Sequence, residues 1–177
     1  ILGLSMIAPI LTQFFYDEFD SGFISSGIVT VIFGILFLLS NLDHDKKISL
    51  PQAFLLTALS WLSIAIFGSL PFIFSEINLG ATDAFFESMS GITTTGSTII
   101  TNLNETPKSI LLWRGMLQWL GGIGIIVMAI TLMPLMNIGG MQLFIISTSD
   151  TPEKILPRSK EIAVRLILVY SGLTLIC

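Results

Sequence analysis

The chain has 177 residues, of which 53% are hydrophobic and only 11% charged; its net charge is −4 and its mean hydropathy is +0.88. A soluble domain is about 25% charged, so this composition argues strongly against the buried helices of a soluble core. Cys177 is the single cysteine, so the sequence predicts neither a disulfide framework nor a cysteine metal cluster.

Several uncharged runs have the length of a membrane span. A helix crosses a bilayer in about 20 residues, because it rises about 1.5 Å per residue through a core about 30 Å thick. Three runs meet this length, at residues 21–42, 48–75 and 115–149. The run 1–16 is nearly long enough, and 166–177 is still apolar where the sequence stops. We therefore expect an all-α integral membrane protein, and we interpret the chain as a piece of a longer one.

The breaks between these runs predict helix boundaries. The predicted helices cover residues 1–15, about 23–41, 51 to about 75, about 82–91, 109–135, and from about 160 onward. Pro51 fits the first turn of its helix, where the missing N–H leaves no hydrogen bond unmade. Thr82 or Asp83 is expected to cap the short helix that follows. Polar connections are expected at 102–108 and about 137–159.

The basic residues predict the topology. Six of the eight fall on one side of this scheme and only Lys108 and Arg114 on the other; the six are Lys46, Lys47, Lys154, Arg158, Lys160 and Arg165. Basic residues in short loops mark the cytoplasmic side, so residues 76–108 must begin and end outside and cannot span. The outer acidic residues Asp17, Glu18 and Asp20 are interpreted as a solvated loop.

Residues 85–98 are too polar for a lipid-facing span, although they lie between two membrane-length runs. Non-helical backbone at membrane depth is tolerated only where it is buried in protein or lines a watery cavity. We therefore predict a re-entrant hairpin: a helix of about ten residues, or roughly 15 Å, followed by a return of the chain to the same side.

The hairpin has the chemistry of a cation site. The carbonyl end of a helix carries about half a negative charge and favours a cation. Residues 92–97 are expected to return as extended backbone whose carbonyls replace the water shell of an ion, with Gly96 at positive φ. No carboxylate lies between Ser88 and Asn104, which favours a potassium-like site built from carbonyls over a calcium site.

Longer strings of residues carry a resemblance to a known family. Leu70-Pro-Phe-Ile-Phe-Ser-Glu76, Thr82-Asp-Ala-Phe-Phe-Glu-Ser-Met-Ser-Gly-Ile-Thr-Thr-Thr-Gly96 and Leu112-Trp-Arg-Gly-Met-Leu-Gln-Trp-Leu-Gly-Gly-Ile-Gly-Ile-Ile126 are its main segments. They closely resemble the Trk-type potassium-uptake membrane subunit (TrkH), of the Trk/Ktr/HKT potassium transporter superfamily. The likeness covers essentially the whole chain, which it identifies as an N-terminal fragment.

The resemblance implies a fold of two introductory transmembrane helices and four repeated units, each made of a helix, a pore helix, a filter and a second helix. Residues 1–47 then form the introductory pair. Residues 48–136 form the first unit, with its pore helix at about 82–91 and its filter at about 92–98. Residues 137–177 form a cytoplasmic loop and the start of the second unit.

The resemblance also implies the site and its ligand. Potassium is bound at Thr94 and Thr95, directly before Gly96, and Ser97 lines the next layer. The implied function is potassium translocation across the bacterial or archaeal cytoplasmic membrane, by a channel or by symport. No organic cofactor and no nucleic-acid partner are implied.

The implied partners are the lipid bilayer, a second copy of the full-length subunit in a homodimer, and a cytoplasmic nucleotide-binding regulator like TrkA. The loop 147–154 either contacts this regulator or is an ordinary connection.

Other residues have two interpretations each. Glu87 and Arg114 either pair and support the filter, since charges in membrane segments are usually paired, or are solvated separately. Trp113 either anchors at the membrane interface or packs in the protein. The Gly121-Gly-Ile-Gly124 run predicts close helix packing rather than a nucleotide-binding loop.

Two other classes of membrane protein are alternatives to a potassium transporter. A membrane enzyme such as an intramembrane protease requires an aspartate pair, a serine elbow or a His-Glu-x-x-His helix within the spans, and the sequence has none, so we predict that the protein is not an enzyme. A non-conducting membrane scaffold or binding protein is the remaining alternative.

Overall fold

The computed structural model describes residues 1–40, 50–132 and 155–176. Within these ranges the chain forms seven helices, and no residue is in a strand. They are α1 (Leu2–Ser5), α2 (Ile7–Tyr16), α3 (Gly22–Ser40), α4 (Leu50–Phe74), α5 (Ala81–Ile92), α6 (Lys108–Leu132) and α7 (Ile155–Ile176). The prediction of an all-α chain is confirmed for this part of the sequence.

Three of these helices are long and apolar enough to cross a membrane. Their spans are Gly22–Ser40, Pro51–Phe74 and Lys108–Ala129. The apolar stretches Leu2–Tyr16 and Ala163–Thr174 are shorter. The chain divides into two compact units, Ile1–Gly121 and Gly122–Cys177.

The predicted first helix, 1–15, is broken into two pieces at Met6. Pro9 explains the break, because it has no N–H to donate to the carbonyl of Ser5 and its ring crowds that carbonyl. The hydrogen bonds resume with Ile10, whose N–H donates to the carbonyl of Met6 at 3.3 Å.

The short helix α5 does not have the predicted cap. It begins at Ala81 after Gly80, which makes no side-chain cap, so the expectation that Thr82 or Asp83 caps it is wrong. The first helical bond runs from the N–H of Ala84 to the carbonyl of Gly80 at 2.8 Å. Asp83 lies inside the first turn, where a carboxylate interacts favourably with the helix dipole.

The last helix begins earlier than predicted. α7 starts at Ile155 rather than near Lys160, and Pro157 falls in its first turn, where proline is well tolerated. The predicted end of α6 near residue 135 lies outside the described residues. Lys46, Lys47 and Lys154 also lie outside them, so the cytoplasmic assignment stays a prediction.

Acidic residues join several helix ends at one end of the first unit. Asp20 accepts hydrogen bonds from the N–H groups of Gly22 at 2.9 Å and Glu76 at 3.2 Å, which ties the start of α3 to the segment after α4. Glu18 accepts one from the N–H of Lys108 at 2.8 Å, at the start of α6. Glu18 and Asp20 lie in a loop, as interpreted, and each also accepts a hydrogen bond from an amide at a helix end, where amides lack partners within the helix. The segment 76–108 consequently begins and ends at the same end of this unit.

The core of the first unit joins the helices around α5. Its buried side chains are Met6, Phe23, Phe72, Ala84, Ile110, Trp113 and Leu117. Trp113 is fully buried, packs edge-to-face on Phe23 with ring centroids 6.1 Å apart, and donates from Nε1 to the carbonyl of Gly68 at 3.0 Å. Of its two interpretations, packing within the protein is confirmed.

Candidate functional site

The candidate site is the chain reversal at the carbonyl end of α5. The helix ends at Ile92, and Thr93 and Thr94 form a turn in which Thr94 has φ +59°. Gly96 has φ +79°, a conformation that glycine adopts without penalty. The prediction that the chain returns as extended backbone directly from Ile92 is therefore wrong, because Thr93 and Thr94 form a turn.

The amides of the turn fold back onto the helix that they follow. Each of four consecutive N–H groups donates to a carbonyl in the last turn of α5. The bonds are Thr93 to Met89 at 3.0 Å, Thr94 to Gly91 at 2.9 Å, Thr95 to Ser90 at 3.0 Å and Gly96 to Ser90 at 3.3 Å. These carbonyls of the helix end, which would otherwise lack partners, are thereby satisfied by the loop and are not open ligands.

The carbonyls of the loop are left without such partners. Those of Thr94, Thr95 and Gly96 accept no hydrogen bond from any residue that the structure describes, and all three residues are exposed. A backbone carbonyl normally has a partner in protein or water. The loop therefore presents a run of carbonyl oxygens that can bind a cation.

Two side chains on one face of α5 hold the returning segment, residues 97–99. Ser90 Oγ donates to the carbonyl of Ser97 at 2.7 Å. One turn earlier, Glu87 Oε2 accepts from Thr98 Oγ1 and from the N–H of Ile99, each at 3.1 Å. Residues three apart on a helix lie on the same face, so these two contacts act on successive parts of the returning segment.

Glu87 is also the partner of Arg114 on α6. Arg114 Nε donates to Glu87 Oε1, and the side chains are 15% and 0% exposed respectively. The predicted pairing of these two residues is therefore present, and separate solvation is wrong. A buried carboxylate is tolerated because it is paired and hydrogen-bonded.

Close helix packing brings α6 against the end of α5. A Cβ added to Gly121 would lie 1.9 Å from the carbonyl oxygen of Ile92, and one added to Gly91 would lie 3.0 Å from the Cβ of Leu117. The packing interpretation of Gly121 is confirmed, since the two backbones can approach this closely only without a side chain. The last helical carbonyl of α5 thus faces α6.

The structure brings the predicted site residues together. Thr94, Thr95, Gly96 and Ser97 lie on one exposed loop, with Glu87 and Arg114 behind it. Sequence reasoning missed Ser90 and Thr98. The available signal was the three-residue spacing of Glu87 and Ser90 on a short helix, which places both polar side chains on one face.

Comparison with known proteins identifies a single family. The pattern of the TrkH family, described as cation transport protein, matches residues 20–177. The chain belongs to the TrkH family. It is 48% identical over 179 residues to the Trk system potassium uptake protein TrkI of Halomonas elongata, which covers 99% of the chain and 36% of that protein. It is 40% identical over 180 residues to TrkH of Escherichia coli K12, covering 98% of the chain and 37% of that protein.

A solved structure is similar as well. The crystal structure of the potassium transporter TrkH from Vibrio parahaemolyticus matches with a TM-score of 0.83 and 37% identity, covering 99% of the chain and 35% of that protein. The chain therefore spans little more than a third of the length of these relatives. Family membership and the three membrane-length helices identify the chain as part of an integral membrane protein.

Proposed function

We propose that the protein containing this chain takes up potassium across the cytoplasmic membrane and that the chain supplies one wall of the pathway. The observation that carries the proposal is that the N–H groups and the carbonyls of the loop have different partners. The amides from Thr93 to Gly96 bind the end of α5, while the carbonyls of Thr94, Thr95 and Gly96 have no partner among the described residues. Carbonyl oxygens arranged in this way replace the hydration shell of a potassium ion.

In this proposal the chain is the first part of a fourfold pseudo-repeat. Residues 1–47 are the introductory helix pair, and residues 48–136 are the first unit, with α5 as pore helix and residues 92–98 as filter. Residues 137–177 are the cytoplasmic loop and the start of the second unit. The similarity to the Vibrio parahaemolyticus transporter over 99% of the chain supports this division.

Potassium binds at Thr94 and Thr95 in this account, with Gly96 completing the turn and Ser97 lining the next layer through its hydroxyl. Gly96 supplies a positive φ of +79°, which a residue with a side chain adopts only with strain. Glu87 and Arg114 support the filter from behind, because the Glu87 carboxylate binds both Arg114 and the returning segment at Thr98 and Ile99.

The names of the relatives refer to a Trk potassium uptake system. By analogy we propose a homodimer of the full-length subunit in the bilayer and a cytoplasmic nucleotide-binding regulator. The loop 147–154, which we assign to contact with that regulator or to a simple connection, lies outside the described residues.

Substitution of Gly96 tests the function. Gly96→Val in the full-length protein should abolish rubidium uptake into cells that lack their own potassium uptake, while the protein still inserts in the membrane. Gly34→Val is the matched control, since a Cβ at Gly34 of α3 meets nothing within 4 Å. If Gly96→Val transports rubidium as well as Gly34→Val does, the chain is a scaffold and not a filter.

Re-entry is tested by labelling. Gly80 and Asn104 are both exposed and flank the hairpin. Single cysteines introduced at these positions, in a full-length protein without other cysteines, should both react with an impermeant thiol reagent from the outside. Reaction from opposite sides of the membrane would show that residues 81–103 cross it, which contradicts the proposal.

A further inference from the structure

Ser90 makes a contact in the loop that the potassium-binding proposal does not require. Its carbonyl accepts hydrogen bonds from the N–H groups of Thr95 and Gly96, at 3.0 and 3.3 Å, and its hydroxyl donates to the carbonyl of Ser97 at 2.7 Å. One buried residue of α5, only 6% exposed, therefore contacts three consecutive residues of the loop. The main-chain contacts persist with any residue at position 90, whereas the contact with Ser97 requires a side-chain donor.

The Ser97 contact turns the carbonyl of Ser97 toward α5, unlike the carbonyls of the three residues before it. The carbonyls of Thr94, Thr95 and Gly96 have no partner in the described part of the chain, but that of Ser97 is bound to α5. In a planar trans peptide the C=O and the following N–H point in opposite directions. The N–H of Thr98 therefore points away from Ser90, and it has no acceptor among the described residues. Beyond Gly96, the exposed side of the loop accordingly presents a donor instead of an oxygen.

We propose that Ser90 is a positioning residue for ion selectivity: its hydroxyl holds the Ser97 carbonyl against α5, so that the row of ion-facing carbonyls ends at Gly96. This inference rests on the proposed function of the loop. Selectivity between potassium and sodium depends on the fit of the cavity to the ion or on the number and field strength of the carbonyls around it. Without the Ser90 hydroxyl the Ser97 peptide is free to rotate, and the more mobile row of carbonyls can contract around the smaller sodium ion.

The helix offers a matched control. Ser88 is fully buried two residues before Ser90, and its Oγ has no hydrogen-bond partner among the described residues. Ser88→Ala and Ser90→Ala remove the same atom from the same buried helix. Only the second substitution removes a contact with the loop. A difference between the two variants therefore reports the contact with Ser97 and not the loss of a buried hydroxyl in general.

The experiment compares rubidium and sodium uptake into proteoliposomes that contain the full-length protein or a variant. Ser90→Ala should lower the ratio of rubidium to sodium uptake by about fivefold, the factor that corresponds to one net hydrogen bond of about 1 kcal/mol. Ser88→Ala should keep the wild-type ratio, and Ser90→Thr, which retains the hydroxyl, should restore most of it. A purely structural role for Ser90 would lower both fluxes together and leave the ratio unchanged.

An unchanged ratio in Ser90→Ala, with an active wild type, overturns the inference and leaves the proposed function intact. If the wild type takes up no more rubidium than vesicles without protein, the proposed function fails and the inference fails with it. If Ser90→Ala does not insert, Ser90→Cys replaces it, because a thiol is only a weak donor. A ratio of rubidium to sodium uptake in Ser90→Cys that lies between the wild-type ratio and that of a non-selective leak then supports the inference. The wild-type ratio in this variant overturns it.

Discussion

The hydroxyl groups of α3 and α4 bond within their own helix, whereas two hydroxyls of the α5 hairpin, those of Ser90 and Thr98, bond across it. In the two long helices, five hydroxyls each donate to the carbonyl four residues earlier in the same helix. The pairs are Ser26 with Gly22, Thr30 with Ser26, Thr57 with Ala53, Ser60 with Leu56 and Ser63 with Leu59; Ser69 reaches back three, to Ile66. In the hairpin, Thr93 Oγ1 also donates four residues back, to the carbonyl of Met89, but Ser90 Oγ donates to the carbonyl of Ser97 and Thr98 Oγ1 donates to Glu87.

This difference shows how a membrane chain satisfies the polar groups of helical backbone and of backbone outside any helix. A hydroxyl bonded to its own helix leaves no donor without a partner, so such a helix can face hydrocarbon although it contains serine. The hairpin has backbone outside any helix, which is tolerated at membrane depth only when protein surrounds it or water fills the space beside it. There, polar side chains hold the backbone in place. Polar substitutions should therefore matter in the hairpin and not in the long helices.

The largest effect is expected at the buried ion pair. Glu87→Gln should destabilise the full-length protein by about 3–5 kcal/mol, because it leaves Arg114 without its charged partner in a buried site. The measurement is thermal unfolding in detergent. Asp83→Asn is the control: this carboxylate is exposed in the first turn of the same helix and interacts with the dipole by about 1 kcal/mol or less.

A double substitution sharpens this test. If the two side chains act as a pair, the destabilisation of Glu87→Gln combined with Arg114→Gln is smaller than the sum of the two single effects. Strictly additive effects would show that each side chain acts independently of the other.

The next largest effect is expected where α6 meets α5. A Cβ at Gly121 would lie 1.9 Å from the carbonyl oxygen of Ile92, and that oxygen belongs to backbone that cannot rotate away. Gly121→Ala should therefore destabilise the protein by about 3 kcal/mol and reduce rubidium uptake. Gly115→Ala on the same helix should do neither, because its Cβ meets nothing within 4 Å. Equal behaviour of the two variants would contradict the close packing.

A smaller effect is expected from the hydrogen bond that links α6 to α4. Trp113→Phe removes the Nε1 donor of the bond to the Gly68 carbonyl and should cost about 1–2 kcal/mol in thermal unfolding, since a buried acceptor loses its partner. Trp61→Phe is the matched change within α4, because Trp61 makes no hydrogen bond with any described residue. If both substitutions lower stability equally, ring volume and not the hydrogen bond explains the loss.

The smallest effect is expected in the long helices. Ser60→Ala and Ser63→Ala remove exposed hydroxyls that bond only to their own helix, and each should change stability by about 0.5 kcal/mol or less. Rubidium uptake and its ratio to sodium uptake should stay at the wild-type level. A loss of selectivity comparable to that of Ser90→Ala would remove the distinction between the two regions.

The amino-acid sequence predicts the larger organisation because that organisation depends on composition. Uncharged runs predict the three membrane-length helices, and the polar stretch around Gly96 predicts the reversal of the chain. Pairing of Glu87 with Arg114 also follows from the cost of isolated charges in a membrane. The break in the first helix could also have been predicted from Pro9, but the predicted helix 1–15 did not include such a break.

What the sequence did not predict depends on geometry at the level of single atoms. Ser88 and Ser90 are the same residue type on the same short helix, yet only Ser90 reaches the loop. Gly115 and Gly121 are equally small, yet only Gly121 contacts backbone. Which of two identical residues faces a neighbour is set by the rotation and approach of the helices, and the residue type alone does not encode it.

The most direct test of the account is the location of the ion. A structure of the full-length protein with rubidium or thallium should show anomalous density beside the carbonyl oxygens of Thr94, Thr95 and Gly96, with the Ser97 carbonyl still bound to Ser90. Density only at other positions, with these three carbonyls hydrogen-bonded to protein, would contradict the claim that this loop binds the transported ion.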